Sequence, residues 1–221
     1  MSRAFDPLTS KLILMSKLIL MSIIILIIIS AVSLLVSCSS DKSETSLPYF
    51  PHGDQSRWTY KTTYTLKDEV YYLQYIFNGV VQHDQGFNLQ VLELWVQDVG
   101  LVGTQYIVAD SGKVDIYGTT SDTNPMHILK FPLMIGNTWR VFDDGDEMQK
   151  TLVATVVTTE DVIVPAGDFK NCYKVSITSE IDPNYYSYYW YDTTVGKVKA
   201  YTVNVSEGTS TFELISYQII P

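Results

Sequence analysis

Few side chains in this sequence are spaced for catalysis. His52, His83 and His127 stand far apart, and none has a second histidine at the short spacing that brings two imidazoles to one metal ion. Each is expected as a loop or surface histidine rather than a zinc ligand. Asp143-Asp144-Gly145-Asp146-Glu147 concentrates the carboxylate oxygens that calcium prefers, but it lacks the alternating ligand spacing of an EF-hand. Flanked by strand-like segments, it is expected as a hairpin turn. Glu93 with Asp98, or Asp182 with Asp192, could supply a glycosidase pair, whose carboxyls must stand roughly 5 to 9 Å apart with one pKa raised. Abundant acidic residues make such pairings cheap to find, and a solvated face accounts for them. There is no Gly-x-Ser-x-Gly elbow, His-Glu-x-x-His helix or phosphate-cradling glycine loop. The expectation is a protein without a catalytic centre, metal or cofactor.

Rings and thiols carry more information. In Tyr185-Tyr186-Ser187-Tyr188-Tyr189-Trp190-Tyr191, a strand places Tyr185, Tyr189 and Tyr191 on one face and Tyr186, Tyr188 and Trp190 on the other. Buried phenols each need a hydrogen-bond partner, so one set is expected to keep its hydroxyls at solvent. Exposed rings stack on sugars, apolar ligands or partner proteins, which makes these six residues the candidate binding surface. Cys172 alternates with Tyr173, Val175 and Ile177, and strict alternation turns it away from that apolar set. No cation is placed by sequence to lower its pKa, so it reads as a structural thiol.

Cys38 stands in a different context. Leu18 to Val36 is a run of 19 uncharged residues preceded by Lys11 and Lys17 and ended by the small Ser37, the pattern of an export signal. Length alone also suits an uncleaved membrane anchor. Leu35-Val36-Ser37-Cys38, however, resembles the lipobox of bacterial lipoproteins, in which the chain is cut before the Cys and its thiol takes a diacylglycerol. That resemblance makes residues 1–37 a signal peptide and 38–47 a lipidated Cys38 with a polar tether. It also implies attachment to the membrane through the lipid. Ser39, where an Asp would retain the protein at the inner membrane, favours the outer membrane if the cell has one. A tandem repeat, Lys11 to Ser16 and Lys17 to Ser22, places a second start at Met15, which would leave a signal of ordinary length. With Cys38 lipidated, Cys172 has no intramolecular partner, and no disulfide scaffold is expected.

The elements that must position these residues are strands. Trp58, Tyr60, Thr62, Tyr64 and Leu66 alternate with Thr59, Lys61, Thr63, Thr65 and Lys67, a period of two. Similar runs are predicted at 70–77, 89–96, 104–108, 113–117, 151–157, 173–178, 186–191, 197–205 and 211–219, with turns at Asn78-Gly79, Ser111-Gly112, Asp144-Gly145 and Glu207-Gly208. The fold class is all-β, an antiparallel and strongly curved sheet or partly closed barrel. From Cys38 onward the net charge is −11 with no basic stripe, which disfavours nucleic acid as a partner.

Two motifs return in the same order. Phe50-Pro51 and Trp58 are echoed by Phe131-Pro132 and Trp139, and Gly112-Lys113-Val114 by Gly196-Lys197-Val198. Residues 48–221 are expected to form one domain from related halves, about 48–125 and 126–221, that share a core.

Phe131-Pro132-Leu133-Met134-Ile135-Gly136-Asn137-Thr138-Trp139, Val164-Pro165-Ala166-Gly167-Asp168-Phe169 and Val195-Gly196-Lys197-Val198 together resemble the motif series of a family of uncharacterised exported bacterial lipoproteins. The resemblance spans about residues 48 to 220, implies a β-rich envelope domain, and brings no catalytic residues with it. Asp192-Thr193-Thr194 and His52-Gly53 depart from the pattern. The first expectation is an envelope lipoprotein whose body binds a glycan, an apolar ligand or an envelope protein, or serves as a structural module. Two alternatives stand beside it: a carrier holding an apolar ligand in a half-barrel, and a hydrolase with a cryptic carboxylate site. A cavity of several hundred cubic ångströms would favour the carrier.

Overall fold

A computed structural model describes residues 47–66, 69–204 and 208–220. The leader, Cys38 and most of the tether lie outside the described residues. Thr45–Pro221 forms a compact unit. Among the described residues no helix is long and apolar enough to cross a membrane.

Twelve antiparallel strands follow one another: β1 (Arg57–Tyr64), β2 (Glu69–Gln82), β3 (Asn88–Val96), β4 (Gly100–Ala109), β5 (Lys113–Tyr117), β6 (Met126–Lys130), β7 (Thr138–Arg140), β8 (Leu152–Val164), β9 (Gly167–Ser179), β10 (Tyr186–Asp192), β11 (Gly196–Asn204) and β12 (Gly208–Gln218). Apart from β6 and β7, each strand pairs with its neighbour in sequence, and β1 pairs with β12. The meander therefore curls into a nearly closed barrel, as the fold-class expectation has it, with one seam between β6 and β7. At that seam the His127 N–H donates to the Val141 carbonyl (2.7 Å), and Trp139 Nε1 donates to the His127 carbonyl (2.9 Å). The echoes fall on corresponding strands of the two runs of six. Trp58 lies on β1 and Trp139 on β7; Lys113-Val114 opens β5, and Gly196-Lys197-Val198 opens β11. Both indoles are buried, each 6% exposed.

The period of two in β1 results in Trp58, Tyr60 and Thr62 being buried, while Leu66, beyond the strand end, is largely exposed. Two sequence expectations fail locally. Asn78-Gly79 is not a turn. It lies inside β2 as a bulge, where the pairing with β3 slips between Phe77 and Val80 and Gly79 takes a positive φ of 81°. An Asn-Gly pair supplies positive φ equally well to a bulge and to a turn, and here the strand continues. The second failure is the omission of β6, only five residues long and too short to show a period; the strand-like flank before the acidic segment, Trp139–Phe142, overlaps the three-residue β7 only in part.

One end of the barrel is closed by the segment that enters β1. The Tyr49 N–H donates to the Thr193 carbonyl in the β10–β11 turn (2.9 Å), and Trp58 Nε1 donates across to the Val195 carbonyl (2.7 Å). Gly196 fits beneath this plug at φ +83°, where an added Cβ would meet Pro51 Cδ at 3.2 Å and the Tyr49 carbonyl at 3.3 Å. Only glycine combines that backbone conformation with that proximity.

Candidate functional site

The barrel holds a partly open cavity of about 360 Å³, within the range of roughly 300 to 1,000 Å³ usual for small-molecule sites. Its wall draws on nearly every strand. Tyr60, Tyr75, Ile107, Ile128, Ile177 and Phe212 supply apolar surface, and Phe50 and Pro51 line it from the plug. No Asp or Glu lines it. A twelve-stranded ring is too wide for inward side chains to meet at its centre, so large aromatics coat the wall and leave space between them.

Lys197 is the cavity's one cationic side chain. It opposes Tyr191 on β10, where a bulge between Trp190 and Tyr191 sets Val198 aside and lets Lys197 and Ala200 both face inward. Its Nζ sits 4.8 Å from the Tyr75 ring centroid, 5.2 Å from Tyr60 and 6.0 Å from Phe212. Such faces attract a cation through the ring quadrupole. Among the described residues no carboxylate lies within ion-pair distance of it. Tyr60 packs edge-on against Tyr75 (5.5 Å) and donates its hydroxyl to the Lys197 carbonyl (2.7 Å), which fixes the start of β11 against β1.

Removal from water sets the titration of these groups. Burial brings Lys197 down to about 8 from its ordinary 10.5, and pushes Tyr75 up to about 12. Tyr60, Tyr189 and Tyr191 are raised for the same reason. Between about pH 8 and 10.5 the unfolded lysine keeps a proton that the folded one has released, so this group's contribution to folding stability rises with pH there. Above pH 10 the unfolded phenols lose protons that the folded ones retain, so stability falls. Melting temperature measured from pH 7 to 11.5 is expected to climb above 8, peak near 9, where the buried Cys172 thiol and the phenols begin to release protons only in the unfolded chain, and then drop. Lys197→Met should remove the rising limb and leave the falling one; a rising limb that survives in this variant would contradict the assignment.

The aromatic strand divides as its alternation requires. On β10, Tyr189 and Tyr191 line the cavity and Ser187 is fully buried with its hydroxyl on Thr202 (3.1 Å), while Tyr185, just before the strand, packs half-buried against the core. Tyr186, Tyr188 and Trp190 form a ladder on the other face, with centroids 5.7 and 6.2 Å apart. Lys174 Nζ lies over that ladder, 4.7 Å from Tyr188 and 4.9 Å from Trp190, and Trp190 Nε1 donates to Glu160. Trp190 is buried and the two tyrosines are half-buried. A ligand stacking on this face would have to displace Lys174.

His52 and His83 lie in loops, as expected, and His127 on a strand, but none is at the surface: all three are buried. His52 Nδ1 donates to the Phe50 carbonyl (3.0 Å). His83 Nε2 donates to the Asp122 carbonyl (2.8 Å), and its Nδ1 accepts from the Gln85 N–H (3.0 Å). His127 lies on β6, with Nδ1 2.5 Å from Asp115 Oδ1 and Nε2 3.1 Å from Asp143 Oδ2, while Lys113 Nζ pairs with the other Asp115 oxygen (2.6 Å). Partners distant in sequence hold His83 and His127, whereas the bond of His52 lies within its own loop. Among the described residues no cluster of three or more His, Cys, Asp or Glu is arranged to hold a metal ion.

The nominated carboxylates have local structural uses. Asp192 Oδ1 accepts from the Thr194 N–H, the Thr194 hydroxyl and the Val195 N–H at 2.7 to 2.9 Å, and so shapes the β10–β11 turn. Asp182 Oδ1 accepts from the Asn184 N–H (2.9 Å), and Glu93 from Asn78 and Trp95. Asp98 holds a turn at φ +64°. Residues 141–148 join β7 to a single 3₁₀ turn before β8, so the acidic segment lies in the connection of an antiparallel hairpin, longer than the simple turn expected. Cys172 is a free thiol, fully buried and raised to about 12 by that burial. It opposes Glu160, away from the inward set as alternation required. It is nevertheless covered, because the β8–β9 tip folds onto β11 and β12, with the Ala166 N–H donating to the Leu214 carbonyl (3.0 Å).

Lys197 escaped the sequence reading, and the cavity entered it only through the carrier alternative. The available signal was the Gly-Lys-Val echo, which marks the positions without revealing that the bulge turns Lys197 inward.

No protein-family model matches the chain, and no curated protein matches it. Solved structures do resemble it. One, from Parabacteroides distasonis and described as a "putative lipoprotein", aligns over 78% of this chain and 99% of its own, with 17% identity and a TM-score of 0.50. Another, from Bacteroides fragilis and described as a "putative exported protein" with a YmcC-like fold, aligns over the same shares at 20% identity and a TM-score of 0.47. At these identities the likeness is one of fold.

Proposed function

We propose that this chain is an exported, lipid-anchored envelope protein whose barrel is a non-catalytic binding module for an apolar chain. The observation that carries the reading is the unfilled interior space of about 360 Å³, walled by rings and aliphatic side chains. A solid scaffold of this size would bring its side chains into contact, since interiors pack to crystal-like density. Space with a mainly apolar wall is suited to an apolar guest. The leader, the tetrad ending in Cys38 and the Ser-rich tether support export and anchoring. The fold shared with a protein described as a lipoprotein is in keeping with this.

Native mass spectrometry of the full chain purified from its own host tests the reading. A retained mass that leaves on mild activation, and that fragments as an aliphatic chain, is expected. Apo protein alone, together with failure to take up added alkyl probes, would count against a carrier and leave a structural role.

A further inference from the structure

Resting on that reading, we infer that the guest is a single-chain amphiphile with an acidic head, and that Lys197 is the residue that receives the head inside the barrel. A purely apolar guest would need no lysine. Burying one costs desolvation of the ammonium, and a site for such a guest would more simply place Met or Leu there. Nothing in the wall neutralises the charge: the lining carries no Asp or Glu, and Lys197 has no ion pair among the described residues. The rings of Tyr60, Tyr75 and Phe212 hold the ammonium by their faces, an arrangement that keeps a cation in place without consuming its opposite-charge partner. The site is thus one counter-ion short of neutrality.

An alkyl chain along the Ile107, Ile128 and Ile177 side of the wall, with a carboxylate or phosphate at Lys197, satisfies both the apolar lining and the unmatched charge. The acidic character of the body does not oppose this. Surface charges are screened beyond about 8 Å in physiological salt, whereas a pair formed inside the cavity is not. A dry ion pair also holds its geometry better than an exposed one. The lowering of Lys197 to about 8 in the empty barrel agrees with the same picture, because an arriving anion would restore the protonated form.

The test compares labelled dodecanoate, dodecyl phosphate and dodecanol on the full chain in phosphatidylcholine nanodiscs, with empty nanodiscs subtracted, for wild type and Lys197→Met. The three probes share a chain, so the difference between proteins isolates the head. At pH 7 the wild type is expected to hold either acid about ten- to a hundred-fold more tightly than the alcohol. That preference should vanish in Lys197→Met, while dodecanol binding persists. In the wild type it should also decline at pH 10, a readout that needs no substitution and so stands even if the variant folds poorly. Equal binding of acids and alcohol by the wild type, or an acid preference that survives in Lys197→Met, overturns the assignment of the head and leaves the cavity reading standing. Binding of none of the three overturns both.

Discussion

Trp139→Ala is expected to lower the folding free energy by about 3 to 5 kcal/mol, the usual range for removing a buried indole. Trp139 lies at the seam, where β7 pairs with β8 but has no ladder to β6. It belongs to a strand of three residues, is 6% exposed, and donates to the His127 carbonyl across the seam. Its loss leaves both a void and an unpaired carbonyl next to the Asp115–His127–Asp143 chain. Trp58→Ala should cost a similar amount, because the same geometry recurs at the plugged end with the Val195 carbonyl as acceptor. Trp139→Phe separates the contributions: it keeps most of the packing and should cost only about 1 to 3 kcal/mol for the unpaired group. Denaturant titration followed by far-UV circular dichroism gives these values. A Trp139→Ala loss below about 1 kcal/mol would mean that the seam does not depend on the indole, and would detach the two Trp positions from a common structural role.

The second large effect is all-or-none and lies outside the described residues. Cys38→Ser is expected to abolish labelling by a palmitate analogue in the native host and to leave a slower-migrating precursor with its leader attached. The hydroxyl has the shape of the thiol but cannot form the thioether. Variants starting at Met1 and at Met15 should yield the same mature mass, because the proposed cut before Cys38 lies downstream of both. Unchanged labelling and mobility in Cys38→Ser would replace the lipid anchor with an uncleaved apolar one.

How far the sequence disclosed this molecule depended on whether the deciding contacts are local. The alternation of Trp58, Tyr60 and Thr62 is a property of adjacent residues, and the buried face followed from it directly. Lys113–Tyr117 was placed to the residue because a glycine turn bounds it and β-branched residues fill it. The burial of His127 depends instead on Asp115, one strand away, and on Asp143 beyond the seam, partners that nothing in the neighbourhood of residue 127 announces. Cys172 shows the same limit from the other side: its facing was read correctly, but its cover comes from a hairpin tip folded onto other strands. The cavity is the least local property of all, since it exists only once every strand is in the ring. Lys197 became part of it through a bulge that breaks the very alternation on which the reading relied.

The pairing of β1 with β12 also fixes an order of events during folding. Ser56 and Ile220, at the mouth of that pair, exchange hydrogen bonds across 164 residues of chain. Every other ladder joins strands adjacent in sequence and can form as soon as its hairpin is available. The β1–β12 ladder must wait for the last strand to be made, and contacts of such long range are slow to form in any case. Until then β1 keeps a bare edge, and Trp58 and Tyr60 lack the roof that makes them interior. A chain threaded through a membrane pore from its amino end would remain an open, pliable ribbon for nearly the whole passage and would shut into a barrel only on the far side.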